Sequence, residues 1–151
     1  MRTSRKSIEN FLSGKKMAIA GVSRNPKKFG HTVYTDLKKK GYEIFPVNPE
    51  ADKIDGLECF HSVSELPSDV RHLLIFTSKD KTLGVLKEAF AKGINNIWIQ
   101  QMSDTPEALA YAREKQLNLI AKQCIFMWTD PVSGIHKFHR TLKKFFGGFP
   151  K

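Results

Sequence analysis

Met17-Ala18-Ile19-Ala20-Gly21-Val22-Ser23-Arg24-Asn25-Pro26 decides how this chain folds. The run from Met17 to Val22 is short and apolar and closes on turn-forming residues, the pattern of a strand buried on both faces of a parallel sheet. Behind it, Gly30, Val33, Tyr34, Leu37 and Gly41 recur at helical spacing, with Gly41 placed to stop the helix. A second strand is expected over Tyr42 to Val47, ended by prolines at 46 and 49.

The same alternation continues outward. Residues 50–68 are a polar connection punctuated by Gly and Pro, with a short edge strand expected near Glu58–Phe60. His72 to Thr77 reads as a strand. Leu83, Leu86, Ala89 and Phe90 form a helix stripe ended by Gly93, and Asn96 to Gln100 is the next strand. Thr105-Pro106-Glu107 opens a helix to about Gln116, since Pro suits a first turn, and Leu117 to Ala121 is the last strand. Strands alternating with helices imply right-handed βαβ crossovers. The expected fold is a three-layer, doubly wound α/β sheet of Rossmann-like type, forming one domain over 1–151 with its core at about 8–127. A further helix is expected over about 134–147. There Ile135, Phe138, His139, Leu142, Phe145 and Phe146 make an apolar stripe, and His136, Lys137, Arg140, Lys143 and Lys144 make a basic face.

Charge and composition narrow the partners. The chain has 151 residues and a formal net charge of +10. Residues 1–40 hold eleven Lys and Arg against only Glu9 and Asp36, residues 41–110 are net acidic, and the remainder is basic again. Such polarity fits a local anionic ligand at least as well as a nucleic-acid coat. A nucleic-acid-binding module using the basic termini is the third-ranked alternative, since no helix-turn-helix, RRM or zinc signature is present. No apolar run reaches the roughly 18 residues of a membrane span, and the N-terminus lacks the apolar core of a secretory signal. Cys59 and Cys124 make neither a disulfide framework nor a metal cluster, and a cytoplasmic location is expected. No metal site, catalytic triad or carboxylate pair is read from the sequence.

In a doubly wound sheet the ligand crevice lies beyond the carboxyl ends of the strands at the switch point, here beyond Gly21 and Thr77. The loop Gly21-Val22-Ser23-Arg24-Asn25-Pro26-Lys27-Lys28-Phe29-Gly30 supplies a glycine without Cβ, a hydroxyl, three cations and a helix N-terminus, a combination suited to phosphates. It is not the dinucleotide fingerprint, which would need Gly at 23 and 26. The second strand ends in Val47-Asn48-Pro49 without the acidic residue that holds a ribose diol. Asn48 can hydrogen-bond a base or ribose and adds no negative charge. These features argue against NAD and leave NADP and coenzyme A as candidate cofactors.

The ordered set Ala20 to Pro26, Lys28 and Gly30, Gly41-Tyr42, Pro46-Val47-Asn48-Pro49, Asp55-Gly56 and Trp98-Ile99-Gln100 resembles the stand-alone CoA-binding domain family. That family is similar to the CoA-binding half of the succinyl-CoA synthetase alpha subunit. The resemblance spans about residues 8–127 and implies a Rossmann fold, coenzyme A as ligand and no particular reaction. Carried over by position, Gly21, Ser23, Arg24 and Lys28 face the phosphates, with Val22 and Gly30 in the same loop. Pro46, Val47 and Asn48 border the adenosine, Thr77 and Ser78 line the opposite strand end, and Gln100 sits at the next. Two departures stand out. Gln101-Met102-Ser103 replaces a segment where the family tends to have Gly, and Arg71-His72 replaces an acidic strand start. Phe145 and Phe146, rimmed by Lys143 and Lys144, offer a homodimer contact.

Overall fold

A computed structural model describes residues 3–129. The chain runs α1 (Arg5–Ser13), β1 (Lys16–Ala20), α2 (Phe29–Lys39), β2 (Glu43–Val47), β3 (Lys53–Ile54), β4 (Leu57–Glu58), β5 (His72–Ile75), α3 (Lys79–Lys92), β6 (Asn96–Gln100), α4 (Pro106–Glu114) and β7 (Asn118–Gln123). Short 3-10 turns cover Val63–Glu65 and Ile125–Met127. The basic helix expected at 134–147, and with it the dimer contact at Phe145 and Phe146, lies outside the described residues.

β2, β1, β5, β6 and β7 form one sheet in that order, and every neighbouring pair is parallel. The order reverses direction at β1, which has β2 on one side and β5 on the other, so the switch point falls where the sequence places it. Strand alternation divides the core. Met17, Ile19, Leu74, Trp98 and Ile120 face one side and pack with Ile8 and Phe11 of α1 and with Val33, Tyr34 and Leu37 of α2. Ala18, Ala20, Leu73, Ile75, Ile97 and Ile99 face the other, beneath Leu86 and Ala89 of α3 and Ala108 and Ala112 of α4. Both faces of each central strand are therefore dry, which is why those strands read as continuous apolar runs.

Four local features depart from the sequence reading. α1 is an additional helix, opened by a capping box in which the Ser4 and Ser7 side chains satisfy each other's backbone N–H. Residues 53–58 fold as a two-stranded antiparallel hairpin around Asp55-Gly56, apart from the main sheet. The expected edge strand near Glu58–Phe60 is reduced to a single parallel bridge from Phe60 to Val47. β7 extends to Gln123 because its register against β6 shifts between Trp98 and Gln100, with Lys122 at φ +59°.

His72, at the start of β5, is wedged beneath α1. Phe11 meets its ring edge-on at 5.3 Å, and a methyl group on Gly14 would lie 2.5 Å from the ring. Burial pushes this imidazole below its ordinary value near 6.5. Between the two values the unfolded chain binds more protons than the folded one. The contribution is therefore complete above about pH 6.5 and is lost as pH falls through the depressed value. Urea unfolding should show wild-type stability declining from about pH 7.5 to about pH 5.5, with a shallower decline in His72→Phe. Equal slopes would show that His72 does not titrate on unfolding.

Candidate functional site

The first loop leaves β1 by pressing backbone against backbone. Gly21 has φ +94°, and a Cβ there would lie 2.8 Å from the carbonyl carbon of Phe76 and 2.9 Å from the amide nitrogen of Thr77. Its N–H donates to the Val47 carbonyl at 3.1 Å. Gly30, in the first turn of α2, sits directly behind, where a Cβ would stand 2.7 Å from the Gly21 carbonyl oxygen. The sequence reading assigned Gly21 to close approach by a ligand. In the structure, the close approach is made by the end of β5.

The rest of the loop is held by its own polar groups. The Asn25 N–H donates to Ser23 Oγ at 3.0 Å, and the Lys27 N–H donates to Asn25 Oδ1 at 3.0 Å. Asn48 braces the loop from β2. Its Nδ2 donates to the Val22 carbonyl at 2.8 Å, and its Oδ1 accepts from the Glu50 N–H at 2.8 Å. Arg24, Lys27 and Lys28 are exposed and form no ion pair among the described residues.

These elements bound a crevice of about 360 Å³ beyond the carboxyl ends of β1, β2 and β5. Gly21, Ser23, Val47, Asn48, Thr77 and Ser78 of the sequence-derived set line it. The other six members lie elsewhere. Val22 is fully buried in the core. Gly30 lies behind Gly21, and Pro46 is buried in β2 opposite Ile19. Arg24 and Lys28 are exposed and are not among the residues that line the crevice. Gln100 is 3% exposed, and its Oε1 accepts from the Ile125 N–H at 3.1 Å, tying β6 to the segment after β7.

Sequence reasoning missed the far wall. His61, Ser62 and Val63 line the crevice from the connection after β4, and Lys81, Val85 and Glu88 line it from α3. The α3 residues stand at i, i+4 and i+7, one helical face, but their mixed chemistry gives no hydrophobic stripe to find. Glu88 is held by the Val63 N–H, which donates to it at 3.0 Å, and the His61 ring is 2.7 Å from Asp52. The Ser78 hydroxyl holds the Asp80 carboxyl below its ordinary range.

Helix starts set the electrostatics. α1 and α4 begin with side-chain caps, from Ser4 and Thr105. α2 and α3, whose N-termini follow β1 and β5 at the crevice, have no side-chain cap hydrogen bond. At α3 the Lys81 N–H donates to the Ser78 carbonyl at 3.0 Å and Asp80 puts a carboxylate in the first turn, so the positive dipole end suited to an anion is that of α2, which has no acidic residue in its first turn. With the exposed cations of the first loop and Lys81 of the crevice wall, this end of the sheet is suited to phosphate groups.

A parallel sheet of order 2-1-5-6-7 with its crevice at the β1/β5 switch point defines a Rossmann-like α/β domain. Residues 15–129 match the model of the CoA binding domain family, and the chain belongs to that family. Coenzyme A is the cofactor this membership assigns. The chain is 29% identical over 123 residues to the uncharacterized protein YneT of Bacillus subtilis, covering 81% of this chain and 91% of that one. It is 30% identical to an ADP-forming acetate–CoA ligase of Archaeoglobus fulgidus over 85% of this chain but only 20% of the ligase. A conserved hypothetical protein from Pyrococcus furiosus superposes with a TM-score of 0.73 at 36% identity, over 76% of this chain and 98% of its own.

Three backbone positions with positive φ test the strain at these turns. Gly41 also has a positive φ, +87°, but a Cβ there would meet nothing within 4 Å. Gly41→Ala should cost about 1 kcal/mol from backbone strain alone, and Gly21→Ala about 2–4 kcal/mol because β5 must also move. Equal losses in urea unfolding would show that the contact with β5 does not matter. Met102, in the segment where the resemblance expects glycine, is 78% exposed and has φ +78°. Met102→Gly should therefore stabilise the protein by about 1 kcal/mol, read as a higher Tm, and an unchanged or lower Tm would contradict the strain argument.

Proposed function

We propose that this protein binds coenzyme A or an acyl-CoA, with the phosphates at the first loop and the adenosine against the β2 end and the wall formed by His61 to Val63. The observation that carries this reading is the α2 N-terminus, with no side-chain cap and no acidic residue in its first turn, following the basic first loop at the switch-point crevice. The ADP-forming acetate–CoA ligase of Archaeoglobus fulgidus adds support through CoA in its name, and this chain spans about a fifth of its length.

On this reading, the protein holds the cofactor or senses its acylation state, and chemistry at the thiol belongs to a partner. The arrangement of the crevice wall favours binding over catalysis. His61 is engaged with Asp52, and the neighbouring Ser62 hydroxyl is hydrogen-bonded at 2.7 Å to Ser64 rather than to the imidazole. A cytoplasmic location belongs to the same proposal. No helix among the described residues is long and apolar enough to cross a membrane.

Calorimetric titration with CoA, dephospho-CoA, NADP and NAD tests the reading. CoA should bind tightest, and dephospho-CoA should bind more weakly through loss of one phosphate. Replacing both Arg24 and Lys28 with Ala should weaken CoA binding by about 10- to 100-fold at low salt and flatten its salt dependence. Preference for NADP over CoA would replace this assignment with the NADP reading. Wild-type affinity in the folded double variant would remove the first loop from the site.

A further inference from the structure

Three phenyl rings meet beside the crevice, and the cofactor reading leaves them unused. Phe29 is the first residue of α2 and is 40% exposed. Its ring centroid lies 5.5 Å from that of Phe76, with the planes tilted by 58°, and 5.4 Å from that of Phe126 at 90°. Phe76 follows β5, and Phe126 sits in the 3-10 turn after β7. Both are half-buried and pack on the core beneath α2. Phe29 is thus the exposed member of a cluster whose other two rings the core holds in place.

The cluster is continuous with the site. Phe76 is itself one of the residues that line the crevice. Phe29 directly follows Lys28, the last cation of the first loop, at the α2 N-terminus suited to an anion. The next residue is Gly30, where a Cβ would come within 3.7 Å of the Phe76 Cβ. That close fit brings the start of α2 down onto the end of β5 and the two rings together.

Direction follows from the sheet order β2-β1-β5-β6-β7. On the CoA reading the adenosine lies at the β2 end and the phosphates at the loop after β1. A ligand extended along that line continues past β5 toward β7. Phe76 and Phe126 follow those two strands, and Phe29 touches both.

Chemistry selects the occupant. In CoA the diphosphate is followed by a methylene and then by a carbon bearing two methyl groups, the start of the uncharged pantetheine arm. In NADP it is followed by a second ribose, whose hydroxyls need hydrogen-bond partners. Phenyl rings offer none, and a hydroxyl buried without a partner is unfavourable. Methyl groups gain by leaving water, and rings already fixed in place receive them at little ordering cost.

We propose that Phe29, seated on Phe76 and Phe126, anchors the geminal methyl groups of the pantetheine arm, and so selects CoA over nucleotides that lack the arm. The proposal rests on the CoA reading above and deepens it.

Calorimetric titration with CoA and with 3′-phospho-ADP, the same nucleotide ending at the diphosphate, tests it. Phe29→Ala should weaken CoA binding about 5- to 10-fold and leave 3′-phospho-ADP within about twofold of wild type. Phe29→Leu, which restores most of the apolar area, should recover most of the loss. In the wild-type complex, nuclear Overhauser effects should connect the two CoA methyl groups to the Phe29 ring. Equal weakening of both ligands in Phe29→Ala would overturn the proposal, because the ring would then act through the helix start. So would unchanged CoA affinity, or methyl contacts to other residues alone. A wild type that binds 3′-phospho-ADP as tightly as CoA would remove the anchor and leave the nucleotide site standing. A wild type that binds neither would remove the CoA reading and the anchor with it. If Phe29→Ala does not fold, the methyl contacts in the wild-type complex decide the matter.

Discussion

Backbone lies on backbone where β1 ends. Gly21 turns through a left-handed conformation with no room for a Cβ against Phe76 and Thr77, and Gly30 closes on its carbonyl from behind. That stack decides where the first loop leaves the sheet, how near α2 starts to the switch point, and hence the direction in which the α2 N-terminus faces. The crevice is what remains between this loop and the end of β5. A side chain at either glycine would move a strand end or a helix start, and the groups lining the crevice would move with it.

Around that point, polar groups of modest individual strength act together. Asn48 holds the Val22 carbonyl from β2, the Ser23 and Asn25 side chains close local turns, and His31 reaches the Ser23 carbonyl from α2. Each fixes a peptide group that could otherwise rotate, and preorganisation of this kind lowers the ordering cost of ligand binding. The cations carry a different part of the work. Arg24, Lys27 and Lys28 stay exposed, where they attract an anion over a distance set by the salt.

The central strands were legible because both their faces are buried. Met17–Ala20 and Ile97–Ile99 are continuous apolar runs, and no other local structure of that length suits them. α1 was harder to see. Only Ile8 and Phe11 are buried in a segment otherwise polar, so the helix shows in its Ser4/Ser7 cap more than in its periodicity. The Asp55-Gly56 dipeptide between Ile54 and Leu57 was a hairpin signal, hidden because each strand is two residues long. At the site, the sequence located the loop and the switch point, since both follow from chain order. It could not locate His61, Lys81 or Glu88, which reach the crevice through tertiary packing. Asn48, which the sequence reading gave to the ligand, lines the crevice and also makes one donor and one acceptor hydrogen bond within the protein.

Amide chemical-shift mapping during a CoA titration tests the central claim most directly, because it reports where the cofactor sits. The account predicts that the largest shifts cluster at Gly21 to Gly30, Val47 to Glu50 and Thr77 to Lys81, with α4 and the amino ends of the strands undisturbed. Saturable binding whose shifts fall instead around α1 and the amino ends of β6 and β7 would contradict it.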